Sequence, residues 1–123
     1  MPKYLFITGT NTDVGKTFIG TKLIKGLNKK YSCLVFKPIE TGCIKKRGIL
    51  VPEDSTKYYN IVNKVMDLDE LNPYRFIPPV SPYLAIKRAK ENIFLKDYYE
   101  KLKAISKNAP VLIEGAGGAL SPL

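Results

Sequence analysis

The sequence contains no histidine and no tryptophan, and few cysteines. Without histidine, the chain cannot build a Ser-His-Asp triad, a Cys-His pair or a histidine metal site. Its two cysteines, Cys33 and Cys43, lack metal-ligand spacing, so we expect free thiols in a reducing compartment. No apolar run approaches the roughly 20 residues of a membrane-spanning helix, and the N-terminus lacks an apolar signal core. These absences predict a soluble cytoplasmic protein without a membrane partner.

Acidic residues are also few: 11 Asp and Glu stand against 20 Lys and Arg, which gives a net charge of +9. A basic balance suits nucleic acid, a membrane surface or an anionic small ligand. The lysines are scattered, with small clusters at 29–30 and 45–47, and no basic stripe alternates with aromatic residues. We therefore expect a solvated lysine-rich surface and no nucleic-acid partner. A basic nucleic-acid binder is a distant alternative.

The length of 123 residues fits one domain, spanning residues 1–123, in which strands alternate with helices. The predicted strands are 3–8, 32–37 and 110–113. The predicted helices are 16–30, 54–63, 83–90 and 94–107. A loop is expected over residues 39–53, and an irregular, proline-rich segment over residues 72–82. Strands that alternate with helices indicate a parallel sheet with helices on both faces, the α/β class.

Two of the predicted helices have sequence features that define them. Helix 16–30 is predicted from apolar residues at 3.6-residue spacing. These residues are Phe18, Ile19, Leu23, Ile24 and Leu27. Asp54 opens the helix 54–63, either as its N-cap or at the positive end of its dipole.

Polar residues follow the predicted strands at one edge of the sheet. Gly9, Lys37 and Glu114 each come just beyond the carboxyl end of a predicted strand. In open parallel sheets this edge is where ligands bind. The three strand ends therefore predict a shared active-site crevice.

The segment Gly9–Thr17 reads as a phosphate-binding loop between a strand and a helix. Its glycines allow backbone N–H groups to surround phosphates, and the following helix directs its positive end toward them. Lys16 is expected to reach the outer phosphates, and the Thr17 hydroxyl to coordinate magnesium. Five residues, not four, separate Gly9 from Gly15, a variant of one branch of the P-loop enzymes. The motif predicts ATP and Mg²⁺ as ligands; the alternative is a glycine-rich turn that starts a helix.

Three further charged residues are candidates for the site. Lys37, held extended by Pro38, can neutralise charge on a transferred phosphate or a carboxylated substrate, or it is an ordinary lysine at a strand end. Asp54 and Glu114 are placed to hold magnesium, directly or through water. The alternatives are a helix cap for Asp54 and a salt bridge to Lys16 or Lys37 for Glu114. Because a buried carboxylate is costly when unpaired, Glu114 requires a cation partner.

The set of motifs resembles dethiobiotin synthetase in order and separation. The matching segments are Gly9–Thr17, Lys37-Pro38 with Thr41-Gly42, Asp54, Asn72-Pro73-Tyr74 with Ser81-Pro82, and Glu114-Gly115-Ala116-Gly117-Gly118. The resemblance implies an ATP- and magnesium-dependent enzyme of biotin biosynthesis. Its substrates would be 7,8-diaminononanoate and carbon dioxide, and its product dethiobiotin.

The resemblance also implies roles for individual residues. Lys37 and Lys16 would be catalytic; Thr17, Asp54 and Glu114 would arrange magnesium; Thr41 and Thr10 would contact the diamine substrate. The nucleotide would be bound by Asp13, Val14, Gly15, Lys16, Thr17, Phe18, Asp54, Glu114, Gly115, Ala116 and Gly117. In this mechanism an amine captures carbon dioxide, ATP phosphorylates the carbamate, and the second amine displaces phosphate to close the ring. Phosphoryl transfer of this kind depends on positioning and charge stabilisation and needs no histidine.

The sequence departs from the family pattern at two points. Asp13 stands where glutamate is common, which is expected to alter contacts to the substrate amines. The chain also stops soon after the third predicted strand, so we expect an N-terminal portion of the family's domain. That portion would lack the strands that recognise the adenine base and supply much of the homodimer interface.

Three alternatives to this function remain open. A related P-loop ATPase of the partitioning type usually has lysine after the first glycine, where this chain has Thr10. A glutamine-dependent amidotransferase that makes cobyric acid needs a separate glutaminase domain. A nucleotide-binding remnant would bind ATP without forming dethiobiotin, so turnover discriminates it from the enzyme.

Overall fold

The computed structural model describes residues 3–8, 15–62, 65–107 and 109–115, which form seven strands and five helices. The strands are β1 (Tyr4–Ile7), β2 (Leu34–Phe36), β3 (Ile39–Glu40), β4 (Ile44–Lys46), β5 (Ile49–Val51), β6 (Tyr74–Arg75) and β7 (Val111–Glu114). The helices are α1 (Lys16–Leu27), α2 (Glu53–Ile61), α3 (Leu68–Leu71), α4 (Pro82–Ala89) and α5 (Leu95–Ile105). All three predicted strands and all four predicted helices are present, with bounds shifted by at most three residues.

The central sheet consists of three parallel strands in the order β1-β7-β2. Strand β7 lies in the middle, with Ile7 of β1 opposite Glu114 and Phe36 of β2 opposite Ile113. The carboxyl ends of the three strands therefore meet at one edge. The predicted α/β class, a parallel sheet with helices on both faces, is confirmed.

The larger hydrophobic core joins the sheet to helices α1, α2 and α3. Its buried members are Ile24, Cys33, Val35, Tyr58, Val62, Met66, Leu71 and Leu112. Leu112, on the middle strand, is fully buried, as are Ile24 of α1 and Tyr58 of α2. Burial of this kind stabilises by about 25 cal/mol for each Å² of apolar surface removed from water. The core thus fixes α1 and α2 against β7, directly beside the edge where the strands end.

Two segments expected to be irregular contain strands. The segment 39–53 forms a β4–β5 hairpin, closed by Arg47 and Gly48 with φ angles of 51° and 79°. Positive φ at both central residues is what a two-residue hairpin turn requires. Strand β3 pairs in parallel with β6, which lies within the segment predicted to be irregular. The loop prediction failed because the basic turn carries none of the Asn-Gly or Asp-Gly signals typical of hairpins.

The start of α2 also differs from the prediction. The N-cap is Pro52, and Asp54 lies inside the first turn of the helix. The prediction of Asp54 as N-cap was wrong, whereas its place near the positive end of the dipole is confirmed. The short helix α3, closed by a capping box between Asp67 and Glu70, was not predicted.

Helix α1 is correctly predicted, but only part of its apolar pattern faces the core: Ile24 is fully buried, and Leu27 packs against the same cluster. Phe18, Ile19 and Leu23 are 65%, 52% and 43% exposed, whereas the buried residues are Lys16, Gly20 and Ile24. The apolar spacing identified the helix but only part of its inner side.

Across the described parts of the chain, no helix combines the length and apolar character needed to span a membrane. Both cysteines are buried and free, as expected. Burial raises the pKa of the Cys43 thiol to about 11, so this thiol stays protonated at neutral pH.

Candidate functional site

Glu114, the last residue of the middle strand, lies at the centre of a buried polar network. Its carboxylate is 1% exposed and accepts hydrogen bonds from three side chains that belong to three different elements or their ends. Lys37 donates to Oε2 at 2.5 Å, and Tyr58 donates to Oε1 at 2.6 Å. The Thr17 hydroxyl lies 3.0 and 3.1 Å from the two oxygens. Lys37 is therefore a cation partner of Glu114, as the salt-bridge alternative expected.

Lys37 is held in place through its backbone as well as its ammonium group. It directly follows β2 and is only 4% exposed. Its N–H donates to the carbonyl of Leu71 at 2.9 Å, and its carbonyl accepts from the Asn72 side-chain amide at 2.7 Å. Asn72 is itself fully buried and accepts from Arg75. The end of α3 and the start of β6 therefore fix the strand end that presents this lysine.

The amino end of α1 supplies the second part of the site. Gly15 is the N-cap with φ 79°, a left-handed conformation that favours glycine, and Lys16 is the first helical residue. Lys16 is buried, and Thr17 is half-buried with its hydroxyl on the Glu114 carboxylate. The positive end of the helix dipole thus lies beside the ends of β7 and β2.

Tyr58, on α2, reaches the network past a position of α1 that has no side chain. The tyrosine is completely buried, and its ring lies against Gly20 so closely that a Cβ there would be 1.8 Å from the phenol oxygen. Burial, and then the Glu114 carboxylate, raise the pKa of Tyr58 well above its ordinary value, with a smaller contribution from Asp54. The phenol therefore stays protonated and acts as a hydrogen-bond donor to Glu114.

Asp54 and Glu40 occupy the amino end of α2 with different roles. Glu40, which is buried, accepts hydrogen bonds from the backbone N–H groups of Asp54 and Ser55 at 3.1 and 2.9 Å, and from the Ser55 hydroxyl at 2.7 Å. Glu40 thus caps the helix. The Asp54 side chain is 44% exposed, with Lys57 at 3.9 Å, so its carboxylate remains accessible to a ligand.

The remaining predicted site residues differ in their burial and contacts, and some lie outside the described residues. Thr41 follows β3 and is half-buried. Phe18 lies on the exposed side of α1, with Lys22 Nζ 4.7 Å from its ring centroid. Gly115 follows β7 and donates its N–H to the carbonyl of Ile7 at 3.1 Å. The other predicted residues, Gly9, Thr10, Asp13, Val14, Ala116 and Gly117, lie outside the described residues.

Sequence reasoning missed three residues that shape this site. Tyr58 carries no local signal, and a glycine within a helix indicates a close approach without saying which residue makes it. Glu40 lies between Lys37-Pro38 and Thr41-Gly42, which the sequence analysis considered for other reasons. Its capping function depends on contact with Asp54 and Ser55, 14 and 15 positions further along the chain.

The oxygen ligands at this site fit magnesium. Mg²⁺ prefers hard oxygen donors and usually keeps several waters together with substrate phosphates. Because Thr17 donates its proton to Glu114, the lone pairs of its hydroxyl oxygen are left for a cation. In the described segments no three acidic, cysteine or histidine side chains form a metal-binding group. The site thus suits a cation shared with a phosphate ligand, not one enclosed by protein alone.

Comparison of the sequence with known proteins identifies a family and several relatives. A family model described as an AAA domain matches residues 3–123. The chain is 37% identical to the ATP-dependent dethiobiotin synthetase BioD of Aeromonas salmonicida, over 100% of this chain and 56% of that protein. It is 41% identical to the protein of the same name from Fusobacterium nucleatum, over 98% of this chain and 55% of the relative. The chain spans about half the length of these curated relatives, and the resemblance stated from the motifs is confirmed.

Proposed function

The chain belongs to the AAA domain family, and on that premise we propose that it carries the phosphate- and magnesium-binding part of a dethiobiotin synthetase. The reaction would be the ATP-dependent carboxylation and ring closure of 7,8-diaminononanoate with carbon dioxide. One observation supports this most directly: the Lys37 ammonium, the Glu114 carboxylate and the Thr17 hydroxyl form one buried network at the ends of β2, β7 and the start of α1.

Phosphate binding is assigned to the amino end of α1. Gly15 and Lys16 lie at the amino end of α1, where the helix dipole favours an anion. In the proposal the Lys16 ammonium holds the outer phosphates of ATP. The other proposed nucleotide contacts are Asp13, Val14, Phe18, Gly115, Ala116 and Gly117.

Magnesium would be held by Thr17 and Asp54, with Glu114 acting directly or through water. Three donors already occupy the Glu114 carboxylate, which has about four lone-pair sites, so contact through water is favoured. When bound, the cation would offset the negative charge on the ATP phosphates during transfer. Glu114 would meanwhile orient the Thr17 hydroxyl.

Lys37 is the residue proposed to stabilise the reacting groups. An ammonium group has three donors, and the bond to Glu114 uses one of them. The other two would bind the carbamate formed when a substrate amine captures carbon dioxide, and the phosphoryl group that moves onto it. Preorganised charge of this kind contributes more in a buried site than in water, and Lys37 is 4% exposed.

The proposal extends to the other expectations from the sequence. Thr41 and Thr10 would contact the diamine substrate. The complete enzyme would be a cytoplasmic homodimer, as the resemblance implies. A nucleotide-binding remnant that binds ATP without turnover is the competing proposal, and turnover discriminates the two.

The test is the mass-spectrometric detection of dethiobiotin from the purified chain with 7,8-diaminononanoate, bicarbonate, magnesium and ATP. Lys37→Gln is expected to lower turnover roughly 100-fold or more and to leave ATP binding intact. Lys16→Ala is expected to weaken ATP binding itself. Lys46→Gln, on the exposed strand β4, is the matched control and should behave as the wild type.

Three outcomes separate the possibilities. Product that is lost in Lys37→Gln but retained in Lys46→Gln supports the enzyme and the role of Lys37. Bound ATP without product favours the remnant. Wild-type turnover in Lys37→Gln shows that the role given to this lysine is wrong.

A further inference from the structure

The Glu114 carboxylate is fixed from both sides. Tyr58 donates to Oε1 at 2.6 Å and Lys37 donates to Oε2 at 2.5 Å, so each oxygen has a partner from a different helix or strand end. The Thr17 hydroxyl lies in the fork between the oxygens, 3.0 and 3.1 Å from them. The direction in which Thr17 donates its proton is therefore set by the orientation of this carboxylate.

The tyrosine reaches Glu114 because α1 has no side chain where the two helices meet. A Cβ at Gly20 would lie 1.8 Å from the Tyr58 phenol oxygen and 2.9 Å from Cζ. Since real Cβ contacts are essentially never shorter than 3.0 Å, any larger residue at position 20 would displace the ring. Tyr58 and Gly20 are thus a matched pair, one supplying the hydroxyl and the other the space for it.

We propose that Tyr58, admitted by Gly20, is a positioning residue that orients the Glu114 carboxylate so that Thr17 turns its oxygen lone pairs toward the magnesium of the nucleotide complex. This inference rests on the proposed function, since it assigns Tyr58 to the same magnesium site. A tyrosine that only completes the core would affect stability and leave metal binding unchanged. Positioning predicts a specific loss of metal affinity, because hydrogen bonds to metal ligands commonly change that affinity by about 10- to 100-fold.

The experiment is a magnesium titration of ATP binding by the full chain, compared with ATP binding in EDTA. Tyr58→Phe removes the hydroxyl and keeps the ring. It is expected to weaken the apparent magnesium affinity roughly tenfold while ATP binding in EDTA stays unchanged. Tyr59→Phe, at the neighbouring half-buried position of α2, is the matched control and should match the wild type.

Gly20→Ala tests the pair from the other side. It keeps the tyrosine but displaces its ring, so the same loss of magnesium affinity is expected. In the double variant Gly20→Ala/Tyr58→Phe the two losses should not add, because both remove one hydrogen bond. If circular dichroism shows that Tyr58→Phe does not fold, Gly20→Ala/Tyr58→Leu replaces it, since the added methyl group occupies part of the space that the phenol leaves.

The readout separates this inference from the proposed function. If the wild type shows no magnesium-dependent ATP binding, the proposed function fails and the inference with it. If the wild type shows that dependence and Tyr58→Phe or its replacement shows the same magnesium affinity, only the inference is wrong. A selective loss in the tyrosine and glycine variants, absent from Tyr59→Phe, supports it.

Discussion

The two sides of helix α1 differ in what they contribute. The inner side carries Lys16, Gly20 and Ile24 at intervals of four residues, all buried, next to α2 and β7. The outer side carries Phe18 and Ile19, both more than half exposed. The side that is richer in large apolar residues is thus the exposed one.

The difference arises because the inner side serves the site as well as the core. Lys16 begins the helix at the edge where the strands end, and the absence of a side chain at Gly20 lets Tyr58 reach Glu114. Of these three, Ile24 packs as an ordinary core residue, and half-buried Leu27 packs against the same core. Apolar periodicity therefore identifies an element reliably but identifies its buried face only where packing alone determines the sequence.

The largest effect expected on α1 is that of Ile24→Ala. Ile24 is completely buried in the main core, so removing its side chain should lower the free energy of unfolding by about 3 kcal/mol, through lost burial and the cavity left behind. Urea denaturation of the full chain measures this change. The neighbour Leu23, 43% exposed, is the control, and Leu23→Ala should cost less than about 1 kcal/mol. Equal losses in the two variants would contradict the assignment of inner and outer sides.

The second prediction concerns Thr17, at the start of the same helix. Thr17→Val keeps the shape of the side chain and removes the hydroxyl that donates to Glu114. Hydrogen bonds to charged groups contribute about 1.5 to 3 kcal/mol. The free energy of unfolding in EDTA should therefore fall by about 1.5 kcal/mol. We expect the lower value because this hydrogen bond is half-buried.

Thr17→Ser is the matched control because it retains the hydroxyl, and it should stay within about 0.5 kcal/mol of the wild type. Denaturation with magnesium and ATP adds a second comparison: stabilisation by this ligand pair should be lost in Thr17→Val and kept in Thr17→Ser. If Thr17→Val were as stable as the wild type in EDTA, the hydrogen bond to Glu114 would contribute nothing.

Much of the fold and the centre of the site could be predicted from the sequence. The phosphate-loop motif, the strand end at Lys37 and the polar residue after an apolar strand at Glu114 are local patterns. Topology then brings them together, because carboxyl ends of parallel strands share an edge. The contact between Lys37 and Glu114 shows this for two of the three predicted strand ends, while Gly9 lies outside the described residues.

What could not be predicted depends on contacts between distant residues. Tyr58 and Glu114 are 56 positions apart, and no spacing rule relates them. The need for glycine at position 20 is set by the ring of a different helix. The hairpin turn at Arg47 and Gly48 was missed for another reason: arginine adopts positive φ there without a typical turn sequence. Such features follow from three-dimensional packing and become visible only in the structure.

The smallest effect is expected on the outer side of α1, from Phe18→Ser. Its ring is 65% exposed and contacts Lys22 by a cation–π interaction that contributes about 0.5 kcal/mol at an exposed site. The free energy of unfolding without ligand should therefore change by about 0.5 kcal/mol or less, with Lys22→Gln as a control that removes the same interaction. A loss above about 1.5 kcal/mol that disappears on dilution of the protein would show that this side is buried against another molecule in solution. In that case the apolar residues of the outer side would form an interface. Both sides of α1 would then be packed, the inner side against α2 and β7 and the outer side against another molecule.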